Sequence, residues 1–281
     1  MRTEGLSINL ATVRAQWTLR EAVEGCRRHD IGAIDPWRDQ VAAAGLAEAV
    51  RCINDNGMHV TGYCRGGMFP GPDGTARRTA IDDNKRAVDE AAALGAECLV
   101  LVVGGLAAGS RDLAAARAMV TDGIAQILPH ARACQIPLAI EPLHPMYAAD
   151  RACVNTLRQA LDICDALGDG VGVAVDTYHV WWDPELETQI ARAGRRILAH
   201  HICDWLVPTR DLLNDRGMMG DGVIDFRRIR AWIEAAGFSG PQEVEIFSAA
   251  DWWTKAPDEV LRICIERYNQ VCRIDEANNH D

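Results

Sequence analysis

The sequence predicts an α/β fold in which one chain of 281 residues closes a single (β/α)8 TIM barrel. Short runs rich in Val, Ile and Leu alternate with longer stretches of helical periodicity, as parallel strands covered by helices do. Eight such pairs fit a length that barrels of this kind commonly use as one domain. No G-x-G-x-x-G opens the first helix, so an open dinucleotide-binding sheet has little support.

In chain order, the first strand is expected at Leu6 to Leu10 and its helix at Leu19 to His29, with Thr18 placed to cap it. Gly32 to Asp35 then pairs with a helix from Gln40 to Asn54, and His59 to Tyr63 with one from Ala80 to Leu94 that Gly95 ends. The apolar run Cys98 to Val103 precedes a helix from Asp112 to Cys134, and Pro137 to Glu141 precedes one from Leu157 to Leu167 that stops at Gly168. Gly172 to Asp176 leads to Glu185 to Ala193, and Ile197 to Ile202 to Phe226 to Ala236, closed by Gly237. The last pair is Gln242 to Ile246 with Asp258 to Cys272, and the polar residues 274–281 read as a frayed tail of the single domain 1–281. Two Gly-rich connections, Cys64 to Thr79 and Asp204 to Gly222, follow strand ends, where barrel active sites are built.

Composition narrows the function. With 48% hydrophobic and 25% charged residues the chain can bury a large core, and a net charge of -11 disfavours nucleic acid as a partner. Ten scattered cysteines never form C-x-x-C, which reads as reduced core residues of a cytoplasmic protein. The N-terminal MRTEGLSINLATV lacks a signal-peptide core, and no apolar run reaches the roughly 18 residues of a membrane span. Neither lysine, Lys85 or Lys255, ends an apolar strand, so Schiff-base catalysis has little support. G-x-S-x-G, P-loop and H-E-x-x-H motifs are absent.

Four strand ends carry the chemistry: Glu141 after PLAI, Asp176 after VGVAV, a histidine of ILAHHICD, and Glu245 in QEVEIFS. A lone acid at a strand end is most often a cap or surface ion pair. Four on consecutive strands would instead meet at one mouth of the barrel, where three carboxylates repel one another unless a cation neutralises them. Three carboxylates and an imidazole make a hard, oxygen-rich site for a divalent cation. Arg151 and Arg210 could orient a substrate oxyanion, and Trp37, Trp181, Trp182, Trp252 and Trp253 follow strand ends where they could wall an apolar pocket.

These motifs resemble the xylose-isomerase-like superfamily of sugar isomerases and epimerases over nearly the whole chain, most strongly from residue 137 to 248, through IEPLHP, VDTYHVWW, HHICD and GDGVIDF followed by VEIF. The resemblance implies Glu141, Asp176, His201 and Glu245 as ligands of one divalent ion, Mn2+ first and Mg2+, Co2+ or Zn2+ next. His201 is preferred to His200 because the family spaces its histidine H-x-x-D/E, here to Asp204. It also implies Glu141 and Glu245 as acid and base, with His144 and His179 assisting, on a keto sugar or related polyol that passes through an enediolate. The superfamily extends to keto-inositol dehydratases and C-glycoside-cleaving lyases, where His144 would serve as base and a small partner subunit would be required; relatives are otherwise often homo-oligomers. Endonuclease IV shares the fold but needs more histidines and a basic DNA face, whereas this chain has eight histidines and an acidic balance.

Overall fold

The computed structural model describes residues 3–273, so the expected frayed tail at 274–281 lies outside the described residues. Among the described residues eleven strands occur: β1 (Leu6–Asn9), β2 (Ala33–Asp35), β3 (His59–Val60), β4 (Tyr63–Gly67), β5 (Leu99–Val102), β6 (Leu138–Ile140), β7 (Val171–Asp176), β8 (Ile197–Ile202), β9 (Asp204–Trp205), β10 (Arg216–Gly217) and β11 (Gln242–Val244). Nine of them form one parallel sheet in the order β3-β2-β1-β11-β8-β7-β6-β5-β4, while β9 and β10 pair antiparallel in the loop after β8. The sheet closes where the Cys64 N–H donates to the Pro36 carbonyl at 3.1 Å and Trp37 bridges to Cys64. The architecture is a single TIM barrel.

The helices are α1 (Leu19–Arg28), α2 (Arg38–Ala44), α3 (Leu46–Asp55), α4 (Gly74–Leu94), α5 (Leu113–Ala133), α6 (Leu157–Leu167), α7 (Thr177–Val180), α8 (Leu186–Ala193), α9 (Phe226–Ala235) and α10 (Pro257–Arg267). Thr18 and Glu21 form the reciprocal cap of α1. Where expectation and structure differ, the cause is local. The expected third strand is two strands, because at Gly62 the chain passes over Asp35 so closely that a Cβ would lie 2.4 Å from Oδ2. The expected helix Gln40 to Asn54 is cut in two by Gly45, whose φ of 83° ends α2 and opens α3. Asp73 caps α4 through the N–H groups of Thr75 and Ala76, so the helix starts at Gly74 and takes part of the expected loop. The final helix gives way to a π-helical turn over Tyr268–Cys272. The short α7, capped by Asp176 itself, was not expected.

Side-chain alternation separates two apolar regions. Val100, Ala139, Ala174 and Ala199 point into the barrel with Cys64 and Cys98, whereas Leu99, Leu101, Leu138, Ile140, Val173 and Val175 join the larger core beneath the helices. The residues lining the inside are small, which leaves the interior room for polar groups. All ten cysteines are free, and no helix among the described residues is long and apolar enough to cross a membrane.

Gly67 of β4 holds the rim together at close range: its φ is 115° and a Cβ would lie 1.9 Å from the Val102 carbonyl oxygen. Gly67→Ala is expected to destabilise the protein by about 3 kcal/mol, from strain and overpacking combined, in urea unfolding followed by circular dichroism.

Candidate active site

The alternation that turns Ala139, Ala174 and Ala199 inward also turns inward the residues two positions further on, which are Glu141, Asp176 and His201. Glu245 arrives one residue beyond β11, its N–H bonded to the Ile202 carbonyl at 3.1 Å. The strands β6, β7, β8 and β11 are neighbours in the sheet, so the four side chains occupy one continuous sector of the rim. All four are buried, and one donor atom from each lies within 4.8 Å of the others. His201 Nδ1 is 3.1 Å from Glu141 Oε1 and 4.0 Å from Glu245 Oε2.

His201 Nε2 points the other way, to Glu243 Oε1 at 3.2 Å. Glu243 also accepts from Asn9 Nδ2 at 3.0 Å and from Thr61 Oγ1 at 2.7 Å, and Asp35 lies beside it. A buried polar layer therefore underlies the quartet and fixes which imidazole nitrogen faces it. His200 faces the helix layer, near Arg230, and burial lowers its pKa to about 3.

Charge in this sector is compensated from the loop after β8. Arg216 Nη1 lies 2.7 Å from Glu245 Oε2 and 3.3 Å from Asp176 Oδ2, and its guanidinium sits between the rings of Tyr178 and Phe247 at 4.5 and 4.9 Å. Buried Asp204 anchors the loop, accepting the N–H groups of Gly220, Gly222 and Ile224 at 2.8 to 3.0 Å. Tyr147 and Tyr178 both donate their hydroxyls to the Leu212 carbonyl above the site. Burial pushes Asp176 up to about 7, against the pull of Arg216 and with help from Glu245 and Glu141. Burial opposes the charged form of His201 too, but Glu243, Glu141 and Glu245 outweigh it and raise that pKa well above the ordinary value.

The other predicted residues divide. His179 is buried and lines the cavity, with Nε2 3.6 Å from Asp176 Oδ2 and 3.3 Å from Arg216 Nη2. Its Nδ1 accepts the His144 N–H at 3.3 Å, and burial, reinforced by Arg216, depresses its pKa well below normal, so the ring is neutral. The structure does not bring His144 to the quartet: its Nδ1 accepts the Met146 N–H at 3.2 Å, its ring packs on Trp205 at 4.8 Å, and its side chain is not among those lining the cavity. Arg210 is likewise turned away, paired with Asp215 and Asp251. Of the five tryptophans, Trp37 lines the cavity, and Trp181 and Trp182 line a separate groove.

Sequence reasoning missed Arg216, Glu243 and Asp35. Charge balance asks for a cation near three carboxylates, but nothing in the local pattern separates Arg216 from Arg210 in the same loop. Glu243 was within reach, since it shares a strand face with Glu245.

The site opens into a cavity of about 540 Å3 at the C-terminal mouth, lined in part by Glu141, Glu245, His179, Arg216, Tyr147 and Phe247. The donor set fits a divalent cation. A cation with bonds of about 2.1 Å holds its donors within about 4.2 Å of one another, close to the 4.8 Å within which the present donor atoms lie. The fold and site thus define a parallel α/β barrel with a buried, carboxylate-rich centre at its C-terminal mouth. The family described as xylose isomerase-like TIM barrel matches residues 21–264, and the chain belongs to it.

Solved structures similar to the chain include protein SMc04130 from Sinorhizobium meliloti 1021, 68% identical over 97% of this chain and 100% of that one, with a TM-score of 0.96. The IolI protein with a bound zinc atom has a TM-score of 0.81 at 20% identity, covering 95% and 97% of the two chains. The 3-keto-D-glucoside 4-epimerase YcjR of E. coli has a TM-score of 0.74 at 18% identity, covering 93% and 99%. No protein of curated function matches the sequence.

Among the described residues Arg216 is the guanidinium paired with Asp176 and Glu245. Arg216→Met is therefore expected to destabilise the EDTA-treated protein by about 3 kcal/mol, the scale for breaking a buried ion pair. Urea unfolding in EDTA measures it, and a change below about 0.5 kcal/mol would mean that the carboxylates find other compensation.

Proposed function

We propose that the protein is a divalent-metal-dependent isomerase or epimerase acting on a keto sugar or a related polyol. One observation carries the reading: Glu141, Asp176, His201 and Glu245 converge from four adjacent strands at the base of a cavity that exposes Glu141 and Glu245 to a bound molecule. The zinc atom of the IolI protein and the epimerase activity of YcjR, both on the same fold, support it.

Glu141, Asp176, Glu245 and Nδ1 of His201 would hold the ion, with Mn2+ or Mg2+ suited to the oxygen-rich set. When bound, such an ion supplies electrophilic stabilisation of the charge that develops on neighbouring oxygens of a keto sugar. Glu141 and Glu245 project from β6 and from the end of β11, strands separated in the sheet by β7 and β8. They therefore approach a molecule in the cavity from different sides, one placed to remove a proton from carbon and the other to return one. Arg216 donates toward the same space and offers a fixed positive charge, while His179 is a hydrogen-bond group beside it, its Nε2 near the same Asp176 oxygen that Arg216 approaches. Glu243 Oε1 lies 3.2 Å from His201 Nε2, on the far side of the ring, while Nδ1 faces the other members of the ligand set. A lyase outcome would draw on His144 as base, and the packed, capped position of that ring gives it no support.

Purified protein is expected to carry close to one divalent ion per chain, and Glu245→Gln to lower its Mn2+ affinity by at least tenfold, with loss of activity. Metal analysis after dialysis measures the first part, and full occupancy in the variant would remove Glu245 from the ligand set. For the reaction, incubation with D-fructose and its keto-sugar relatives in D2O should transfer deuterium to the carbon beside the carbonyl, read by NMR. Absence of exchange with every ketose would sink the isomerase reading.

A further inference from the structure

Five arginines line the cavity, and three are accounted for: Arg14 pairs with Asp39, Arg38 with Asp83 and Glu90, and Arg216 with Asp176 and Glu245. The remaining two, Arg65 and Arg151, have no ion-pair or hydrogen-bond partner for their guanidinium groups among the described residues; Arg151 only faces the Tyr147 ring at 5.8 Å. Both are half-buried. Arg65 stands on β4 and Arg151 in the segment after β6, so the two flank the sector of the rim that β5 separates and sit on the Glu141 side of the site.

Two like charges sharing a partly desolvated cavity repel each other, and each loses hydration without gaining a counter-charge. Burial, and then the neighbouring charge of Arg151, lower the pKa of Arg65, in keeping with that repulsion. The chain is strongly acidic overall, with 40 Asp and Glu against 29 Lys and Arg. Carboxylates are thus plentiful, yet none is spent on these two. A planar guanidinium binds carboxylate or phosphate oxygens through two parallel donors, so a pair of them makes a receptor for one anionic group.

Resting on the reading of this cavity as a keto-sugar site, we propose that its substrate is anionic, a keto-sugar acid or a keto-sugar phosphate. Its charged group lies between Arg65 and Arg151 while its carbonyl end reaches Glu141 and Glu245. The anion pins one end of a polyhydroxylated chain that neutral hydroxyls alone would let slide, and this decides which carbon meets the two glutamates.

The test is calorimetric titration of the Mn2+-loaded protein with three unreactive six-carbon probes: D-glucitol, D-gluconate and D-glucitol 6-phosphate. At least one anion is expected to bind tenfold or more tightly than D-glucitol, and the preferred one separates carboxylate from phosphate. Arg65→Met with Arg151→Met should abolish that advantage and leave D-glucitol binding within about twofold, with the metal content unchanged. Equal binding of all three probes by the unaltered protein overturns the proposal, whatever the variants do. So does an anion advantage that survives both substitutions, since the anion would then be held elsewhere, the ion included. Deuterium exchange tried with neutral ketoses, keto-sugar acids and keto-sugar phosphates alike reads the isomerase proposal separately: no exchange with any of them overturns that reading, whereas equal binding of the three probes overturns the anion site alone.

Discussion

The constraint on which the structure turns is the burial of carboxylates inside a parallel barrel. Asp35, Glu141, Asp176, Glu243 and Glu245 are all at most 5% exposed, beside an inner wall of Cys, Val and Ala. Charges in such a place persist only when paired or coordinated. The chain answers with two groups of its own: His201, placed between Glu141 and Glu243, and Arg216, brought in from the loop after β8. These two still leave an excess of acid, and that excess suits the centre to a cation.

This constraint explains features that look unrelated. Small side chains on the inner faces of β5 to β8 make room for the polar layer, and Gly62 lets the chain cross Asp35 without a clash. The loop after β8 is fastened by Asp204, Tyr147 and Tyr178 because the position of Arg216 depends on it. Arg216 is further held by two aromatic faces, which shield its ion pairs from water and strengthen them. Rigid strands thus present the acids, and a tethered loop presents the base that balances them.

Above the centre the charge pattern reverses. The rim carries Arg65 and Arg151 with no carboxylate assigned to either, while the floor carries carboxylates in excess of their cations. A molecule with an anionic end and a carbonyl end complements both regions at once. The chain belongs to the xylose isomerase-like TIM barrel family, and the two rim arginines are what the substrate proposal adds to that placement.

The sequence by itself determined the fold and the four strand-end residues, because both follow from short-range rules. Alternation of helical and strand periodicity dictates a barrel, and a period of two dictates that residues two positions beyond inward alanines also face inward. The breaks at Gly45 and Gly62 escaped it, since a glycine in a regular run does not announce whether it bends the chain. Tertiary structure alone decided which loop arginine enters the acidic centre: Arg216 and Arg210 share a loop, and only packing between Tyr178 and Phe247 selects one. It also decided that His144 turns away, although its place three residues after Glu141 suggested the opposite, because a turn cap and Trp205 claim the ring. That Arg65 and Arg151 line one cavity follows from strands brought together only when the barrel closes, and no local pattern encodes a placement of that range.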